Sequence, residues 1–416
     1  MGTLIDRLRA NDKKGLFKPS QTSISYPTGF LPFDFKNGYT VEVMDDDDNV
    51  LETYASVGIR GGTFLTVIGK TGTAKTTFIV QTAFSIVRNY ENAFIIYFDL
   101  EQVLSYTRVK KLTGCGNREL KEKFLLKQEQ NYIEDIFDTI MSVCKIKEEN
   151  KAEYTYDTGL KDELGDPIKS YVPTVVVVDS IPTLASKDTS DVMEGSTLGN
   201  RNAKIIAQFY KRLMPIIKQY NITVMAINHI NAKIEINPFA KTQAQVMYLK
   251  LDESVPGGNA PLFYANNLLK FVSSTKFTTE KDGFDGFLVR IELLKSRTNK
   301  AGQSVEMIYD QDHGFSPMRT LLHLADTNGL IEGRNPYRYF KGHPEFKFDS
   351  RDVSKLIDKP EFRQTLMDTC MPVLKGYLGD SANERGNDAQ SDAADYAKNV
   401  LPALFDSYNA EETESE

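Results

Sequence analysis

Phe64-Leu65-Thr66-Val67-Ile68-Gly69, then Lys70-Thr71-Gly72-Thr73-Ala74-Lys75-Thr76-Thr77, then FIVQTAFSIVRNY (78–90), is the stretch on which the fold turns. The apolar run shows no polar alternation, as expected of a short strand buried on both faces of a parallel sheet. A Gly/Thr-rich turn follows it, and beyond the turn the apolar residues recur at helical spacing. Strand, glycine-containing turn, Lys-Thr and helix are the layout of a P-loop, G-x-x-x-x-G-K-[ST]. Gly69, Lys75 and Thr76 match that pattern, and Ala74 stands where the second glycine is expected. Alanine serves there provided that the position needs no positive φ, because its small side chain still lets backbone approach a phosphate. Gly69, Lys70, Thr71, Gly72, Thr73, Ala74, Lys75, Thr76 and Thr77 are therefore candidate ATP-binding residues. Amides at the helix N-terminus would cradle the β-phosphate, Lys75 would bridge β and γ oxygens, and the Thr76 hydroxyl would hold Mg²⁺. The plain alternative is a turn without a ligand, which the flanking strand and helix with both Lys and Thr in place disfavour.

Three more short apolar runs have the same buried-strand character: AFIIYFD (93–99), TVVVVD (174–179) and ITVMAIN (222–228). Helical periodicity between them, clearest in RNAKIIAQFYKRLMPIIKQYN (201–221), gives an α/β fold around a mostly parallel central sheet, that of a P-loop ATPase. Asp179 closes a wholly apolar strand, where a carboxylate can reach Mg²⁺ through water; a helix cap is the commoner role for such a residue taken alone. Glu101, just after the strand ending at Asp99, is placed to orient a water for attack on a γ-phosphate; a solvated loop acid is its default reading. Residues 148–173 are polar with Gly and Pro, as in a surface insertion.

The 416 residues are 41% hydrophobic and 26% charged, which suits a soluble globular chain with a sizeable core. No run of 18 apolar residues exists, so no membrane span is expected, and the first residues lack the apolar core of a signal peptide. Three widely spaced cysteines point to a reducing, cytoplasmic location and, with four scattered histidines, speak against a disulfide framework and a zinc site. The formal net charge of −7 is unevenly spread. Residues 381–416 carry nine acids and two bases, and residues 40–53 carry six acids and no base, so the remainder is basic by about six charges. An acidic total is thus compatible with a nucleic-acid-binding core.

P-loop, FDLE (98–101), VVVVDS (175–180), AINH (226–229), VPGGNAPLFYAN (255–266) and ELLKSRT (292–298), in that order, closely resemble the RecA-type homologous-recombination ATPases, and KSRT with INH most resembles their bacteriophage UvsX-type members. The likeness covers roughly residues 25–330. It implies a RecA-like core with a short N-terminal oligomerisation arm (1–24, with Leu4, Ile5 and Leu8); beyond it, residues 331–380 read as a small C-terminal module and 381–416, low in bulky apolar residues, as an acidic, largely disordered tail. Glu101 would be the catalytic glutamate, and His229 would sense the γ-phosphate at the base of a DNA-binding loop. Lys295 and Arg297, two apart on a strand, would project from one strand face and reach the neighbouring subunit's nucleotide. Tyr106 or Arg108 would stack on adenine, with Tyr309 bordering the nucleotide.

Two segments match the family's DNA-binding loops by position, 186–201 and 231–254. Lys187, Arg201, Lys233, Phe239 and Lys241 are the candidate contacts, cations for backbone neutralisation and Phe239 for base stacking. The implied partners are single-stranded DNA, homologous duplex and further copies of the chain in a filament, with mediator and single-strand-binding proteins as accessories. The implied activity is DNA-dependent ATP hydrolysis with strand exchange. A RecA-core ring helicase shares the P-loop, Asp179 and the K-x-R strand; the GGNA–FYA string favours the recombinase. A nucleotide-gated module with little turnover is opposed by intact Lys75, Thr76, Glu101 and Asp179.

Overall fold

A computed structural model describes residues 23–129, 132–187, 197–232, 244–272, 275–279 and 284–379, the side chains of 197–200 and 278–279 excepted. Its centre is a ten-stranded sheet. In chain order its strands are β1 (Phe64–Gly69), β2 (Phe94–Asp99), β3 (Phe124–Lys127), β4 (Thr174–Asp179), β5 (Ile222–His229), β6 (Asn267–Phe271), β7 (Thr275–Thr279), β8 (Phe284–Ser296), β9 (Gln303–Asp310) and β10 (Gly314–Phe315). Across the sheet the order is β3-β2-β4-β5-β1-β6-β8-β9-β10, with β7 beside β8. The six strands from β3 to β6 are mutually parallel, and the remainder continue antiparallel.

Alternate residues of the parallel strands feed two different cores, as the period-two pleat requires. Val175 and Val177 of β4 pack with α1 (Lys75–Val87) and α2 (Tyr106–Thr113), while Val176 and Val178 pack with α3 (Ile133–Glu149) and α4 (Thr197–Gln219). Helices thus cover both faces, which is why these strands read as unbroken apolar runs. On α4, Ile206, Phe209, Leu213 and Ile217 are buried and Ile205 and Ile216 pack beside them, so the helical face read from the sequence is the one that meets the sheet.

The connection from β1 to β2 passes over two positions that β4 and β5 later fill. Four chain segments therefore leave the carboxyl edge of adjacent strands within one crevice, where open α/β sheets bind ligands. The acidic 40–53 stretch is a β-hairpin, Tyr39–Met44 against Val50–Ser56, whose turn is closed by Asp45 Oδ1 accepting from the Asp47 and Asn49 amides at 2.9 and 2.8 Å. The 148–173 insertion contributes a second hairpin, Thr155–Lys161 against Pro167–Tyr171, and the Tyr54 hydroxyl ties the two by donating to Lys161 O at 2.8 Å. Farther along, a three-stranded sheet over residues 331–349, α5 (Pro317–Thr327) and α6 (Pro360–Lys375) share one apolar core with Leu31 and Phe35. Cys115, Cys144 and Cys370 are buried and unpaired with one another. Among the described residues no helix is long and apolar enough to cross a membrane.

Candidate active site

The turn after β1 leaves Lys70, Thr71 and Gly72 exposed while Thr73 and Lys75 are buried. Gly69 is required by close approach: a Cβ there would lie 2.7 Å from Phe271 O and 3.0 Å from Thr73 Oγ1. Ala74 departs from the condition set by the sequence. Its φ is +63°, so the substituted glycine position does demand the left-handed region, and alanine occupies it at a cost of about 1–2 kcal/mol. Lys75 Nζ donates to Gly69 O at 3.0 Å and Lys70 O at 2.7 Å, curling over the turn it belongs to. Burial drives its ammonium down to about 8, with Asp179 and Glu101 acting in the opposite direction. A phosphate beside it would restore the charge that burial disfavours.

Thr76, in the first turn of α1, donates its hydroxyl to Asp179 Oδ2 at 3.1 Å. The same oxygen accepts from the wholly buried Tyr97 hydroxyl at 2.7 Å. Burial pushes the Asp179 carboxyl up and these two hydrogen bonds pull it back. Among the described residues no three His, Cys, Asp or Glu side chains gather as a metal cage. A hydroxyl and a carboxylate beside the Gly69–Lys75 turn nevertheless suit Mg²⁺, which takes one or two protein oxygens and completes its shell with water and phosphate.

Glu101 lies two residues beyond β2 and is half-exposed. Its Oε1 accepts from Ser180 Oγ at 2.7 Å and lies 3.2 Å from His229 Nε2. Partial burial pushes its carboxyl up, but the bonds from Ser180 and His229 outweigh that and hold it below the usual range. Asp99 Oδ2 accepts from Leu104 N and Gln128 Nε2, both at 2.8 Å, and so shapes the turn carrying Glu101. Tyr97, Ser180 and Gln128 were not singled out from the sequence. A tyrosine in an apolar run and a serine after an aspartate carry no local signal of these contacts.

One rim of the crevice is α2 and the turn between β9 and β10. Arg108 Nη1 donates to Asp312 O at 2.8 Å, while Tyr106 is exposed with its ring edge-on to Phe124. Gln81 of α1 exchanges two bonds with the Phe315 backbone, at 2.9 and 3.1 Å, and ties that turn to the helix that starts at Lys75. Tyr309 is half-buried against Phe315.

Lys295 and Arg297 stand elsewhere. Lys295 pairs in register with Leu268, which pairs with Thr66, so both cations lie towards the end of the sheet opposite Gly69. β8 ends at Ser296, so Arg297 stands beyond the strand and the shared strand face expected from the sequence does not extend to it. Lys295 Nζ donates to Leu262 O and Phe263 O at 3.3 and 2.5 Å, and burial, with Arg297 nearby, lowers it to about 8.

Lys187 is paired with Asp135 of α3 at 2.5 Å, and Arg201 is exposed near the start of α4. Lys233, Phe239 and Lys241 lie outside the described residues, as do residues 1–22 of the N-terminal arm and the acidic tail. The base of the second loop is described: Asn231–Ala232 pairs antiparallel with Glu253–Ser254, directly after β5.

No protein-family model matches the chain. It is 24% identical over 202 residues to Protein RecA of Haemophilus ducreyi, covering 48% of this chain and 50% of that protein. Protein RecA of Mannheimia haemolytica is 26% identical over 219 residues, 48% of this chain and 55% of the relative. Protein RecA of Caulobacter vibrioides is 28% identical over 208 residues, 46% and 54% respectively. The chain is distantly similar to RecA. It spans about half the length of the curated relatives that it matches. The large, mostly parallel central sheet is that of a RecA-like core.

Proposed function

We propose that the chain is an ATP-dependent homologous-recombination protein of the bacteriophage UvsX type. In this reading it assembles as a helical filament on single-stranded DNA, pairs that strand with a homologous duplex and hydrolyses ATP at subunit interfaces. The observation that supports it best is the contact between Glu101 and His229. The carboxylate suited to orienting water is bonded to the residue from which the 231–254 segment departs, so hydrolysis and loop position share one hydrogen bond.

Bound Mg·ATP supplies the γ-phosphoryl group and the metal charge that offsets developing negative charge. Lys75 would exchange its two carbonyl partners for phosphate oxygens, and the Thr76 hydroxyl and Asp179 carboxylate, the latter oriented by Tyr97, would hold the metal. Glu101, ionised and aimed by Ser180 and His229, accepts the hydrogen bond of the attacking water. Arg108 and Tyr106, with Tyr309 nearby, border the base. Lys295 and Arg297 serve the nucleotide of the adjoining subunit. Lys187, Arg201, Lys233, Phe239 and Lys241 face single-stranded DNA, and Lys187 must first leave Asp135.

Pairing of a labelled oligonucleotide with a homologous supercoiled duplex tests this reading. Joint molecules that depend on ATP, without directional unwinding of a forked substrate, are the expected result. Unwinding without pairing would replace it with the ring-helicase reading.

A further inference from the structure

Lys270 is an interior residue of β6, only 4% exposed, with Ile68 of β1 on one side and Glu292 of β8 on the other. An ammonium there is held out of water and requires a partner. The partner is Glu253, whose Oε2 accepts from Lys270 Nζ at 2.7 Å and from the Lys250 amide at 3.2 Å. The two side chains are 5% and 14% exposed, so the pair is desolvated and barely screened by salt. Lys270 lies beside the strand that leads into the phosphate loop, and Glu253 lies at the base of the second loop.

The connectivity closes a circuit. Gly69, the first residue of the phosphate loop, pairs in register with His229. Beyond His229 the chain enters Asn231–Ala232, and Ala232 pairs with Glu253. Glu253 is bonded to Lys270, and Lys270 pairs with Ile68, the neighbour of Gly69. Asn228 adds a stitch by donating to Pro256 O at 2.9 Å. Leu249 and Val255 pack in one apolar cluster with Ile68 and Leu268 of the sheet, which fastens this region without fixing its register. The buried pair adds a directional tie, because separating it leaves a charge without either water or a counter-ion.

We propose that Lys270 and Glu253 are a positioning pair that locks residues 244–254, the described base of the second loop, to the strand beside the phosphate loop, so that a displacement of His229 on nucleotide binding is passed to that base through the Ala232–Glu253 pairing. The proposal rests on the reading of that segment as the DNA-binding loop only for its link to DNA; the coupling itself concerns nucleotide and loop.

Hydrogen exchange of peptides covering 244–254, with and without a slowly hydrolysed ATP analogue, tests the coupling without DNA. In the wild type the analogue should slow exchange there at least tenfold. Lys270→Met should bind the analogue within about threefold of wild type and keep basal ATP turnover, yet lose that protection. The double variant Lys270→Met with Glu253→Gln removes both charges, so no lone ion is buried, and should show the same loss with wild-type thermal stability if the single variant misfolds. Protection in the double variant equal to that in the wild type, or none in the wild type, overturns the proposal. Stimulation of turnover by single-stranded DNA is measured in parallel. Its absence from a wild type with intact nucleotide-dependent protection would count against the recombinase reading and leave the coupling standing.

Discussion

His229 Nε2 lies 3.2 Å from Glu101 Oε1, although β5 and β2, the strands that lead to them, are separated in the sheet by β4. The gap is bridged by Ser180, the first residue after β4, which donates to the same oxygen at 2.7 Å. One carboxylate oxygen thus collects groups from the ends of two strands. Three elements fix the direction of Glu101, so its geometry reports on the relative position of the strand ends.

Replacing Glu101 by Gln keeps the size and the hydrogen-bonding reach but removes the basic carboxylate. Turnover of ATP is expected to fall about 10²–10⁴-fold, with nucleotide affinity retained. Steady-state kinetics beside fluorescent-nucleotide binding separates the two. Because the Glu101 pKa is depressed below 4.5, its ionised form persists above that value and is lost only as pH falls through the folded pKa. Ser180→Ala removes one of the bonds that depress it, so the acid limb of turnover should move to higher pH. An unmoved limb would exclude Glu101 as the group that titrates there.

Ala74→Gly should stabilise the protein. The left-handed backbone at φ +63° disfavours any residue with a Cβ by about 1–2 kcal/mol, and glycine returns about 0.4–1 kcal/mol of that through its freer unfolded chain. A net gain of about 0.5–1 kcal/mol in urea unfolding is expected, with nucleotide affinity no weaker. A loss of stability would mean that the turn does not strain alanine.

These two sites show what the sequence could and could not carry. β1, β2, β4 and β5 were legible almost to the residue because burial on both faces demands unbroken apolar runs, and Glu101, Asp179 and Lys75 follow from where those runs end. The Ala74 conformation was not legible, since a backbone angle imposed by a tight turn leaves no mark on an alanine. Tyr97 and Ser180 become partners of Asp179 and Glu101 only through the register of β2 on β4 and the turn after β4. The acidic 40–53 stretch hid a hairpin, because its charges mask the alternation of Val41 and Val43, the residues that pack beneath it.

Lys147 supplies a pH signature. Its Nζ, inside α3, donates to Val172 O and Tyr220 O at 2.8 Å each, and burial drives it down to about 7 from 10.5. Between those values the unfolded chain holds more protons than the folded one, so stability rises with pH across that window. The slope for this group is at most about 1.4 kcal/mol per pH unit. Below pH 7 both states are charged and the burial cost is felt in full. Lys75 and Lys295 slope the same way, so the contrast with Lys147→Met isolates this group. Urea midpoints from pH 7 to 9.5 should climb less steeply in the variant; parallel curves would place the Lys147 pKa outside the window.

The placement of Lys295 and Arg297 yields a test of assembly. In register, Lys295 is level with Thr66, three residues before Gly69, or roughly 10 Å along the strand before any sideways distance is added. Neither cation can therefore serve the phosphate loop of its own chain without rearranging the sheet, whereas a head-to-tail contact brings the two ends of neighbouring sheets together. Lys75→Ala and Arg297→Ala should each abolish most ATP turnover. Mixed in equal amounts they should recover about a quarter of wild-type activity, because half the sites retain Lys75 and half of those face a neighbour that retains Arg297. Turnover against mixing ratio, with co-assembly verified by light scattering, measures this. No recovery at any ratio in assemblies that contain both variants would place the cations outside the neighbouring site.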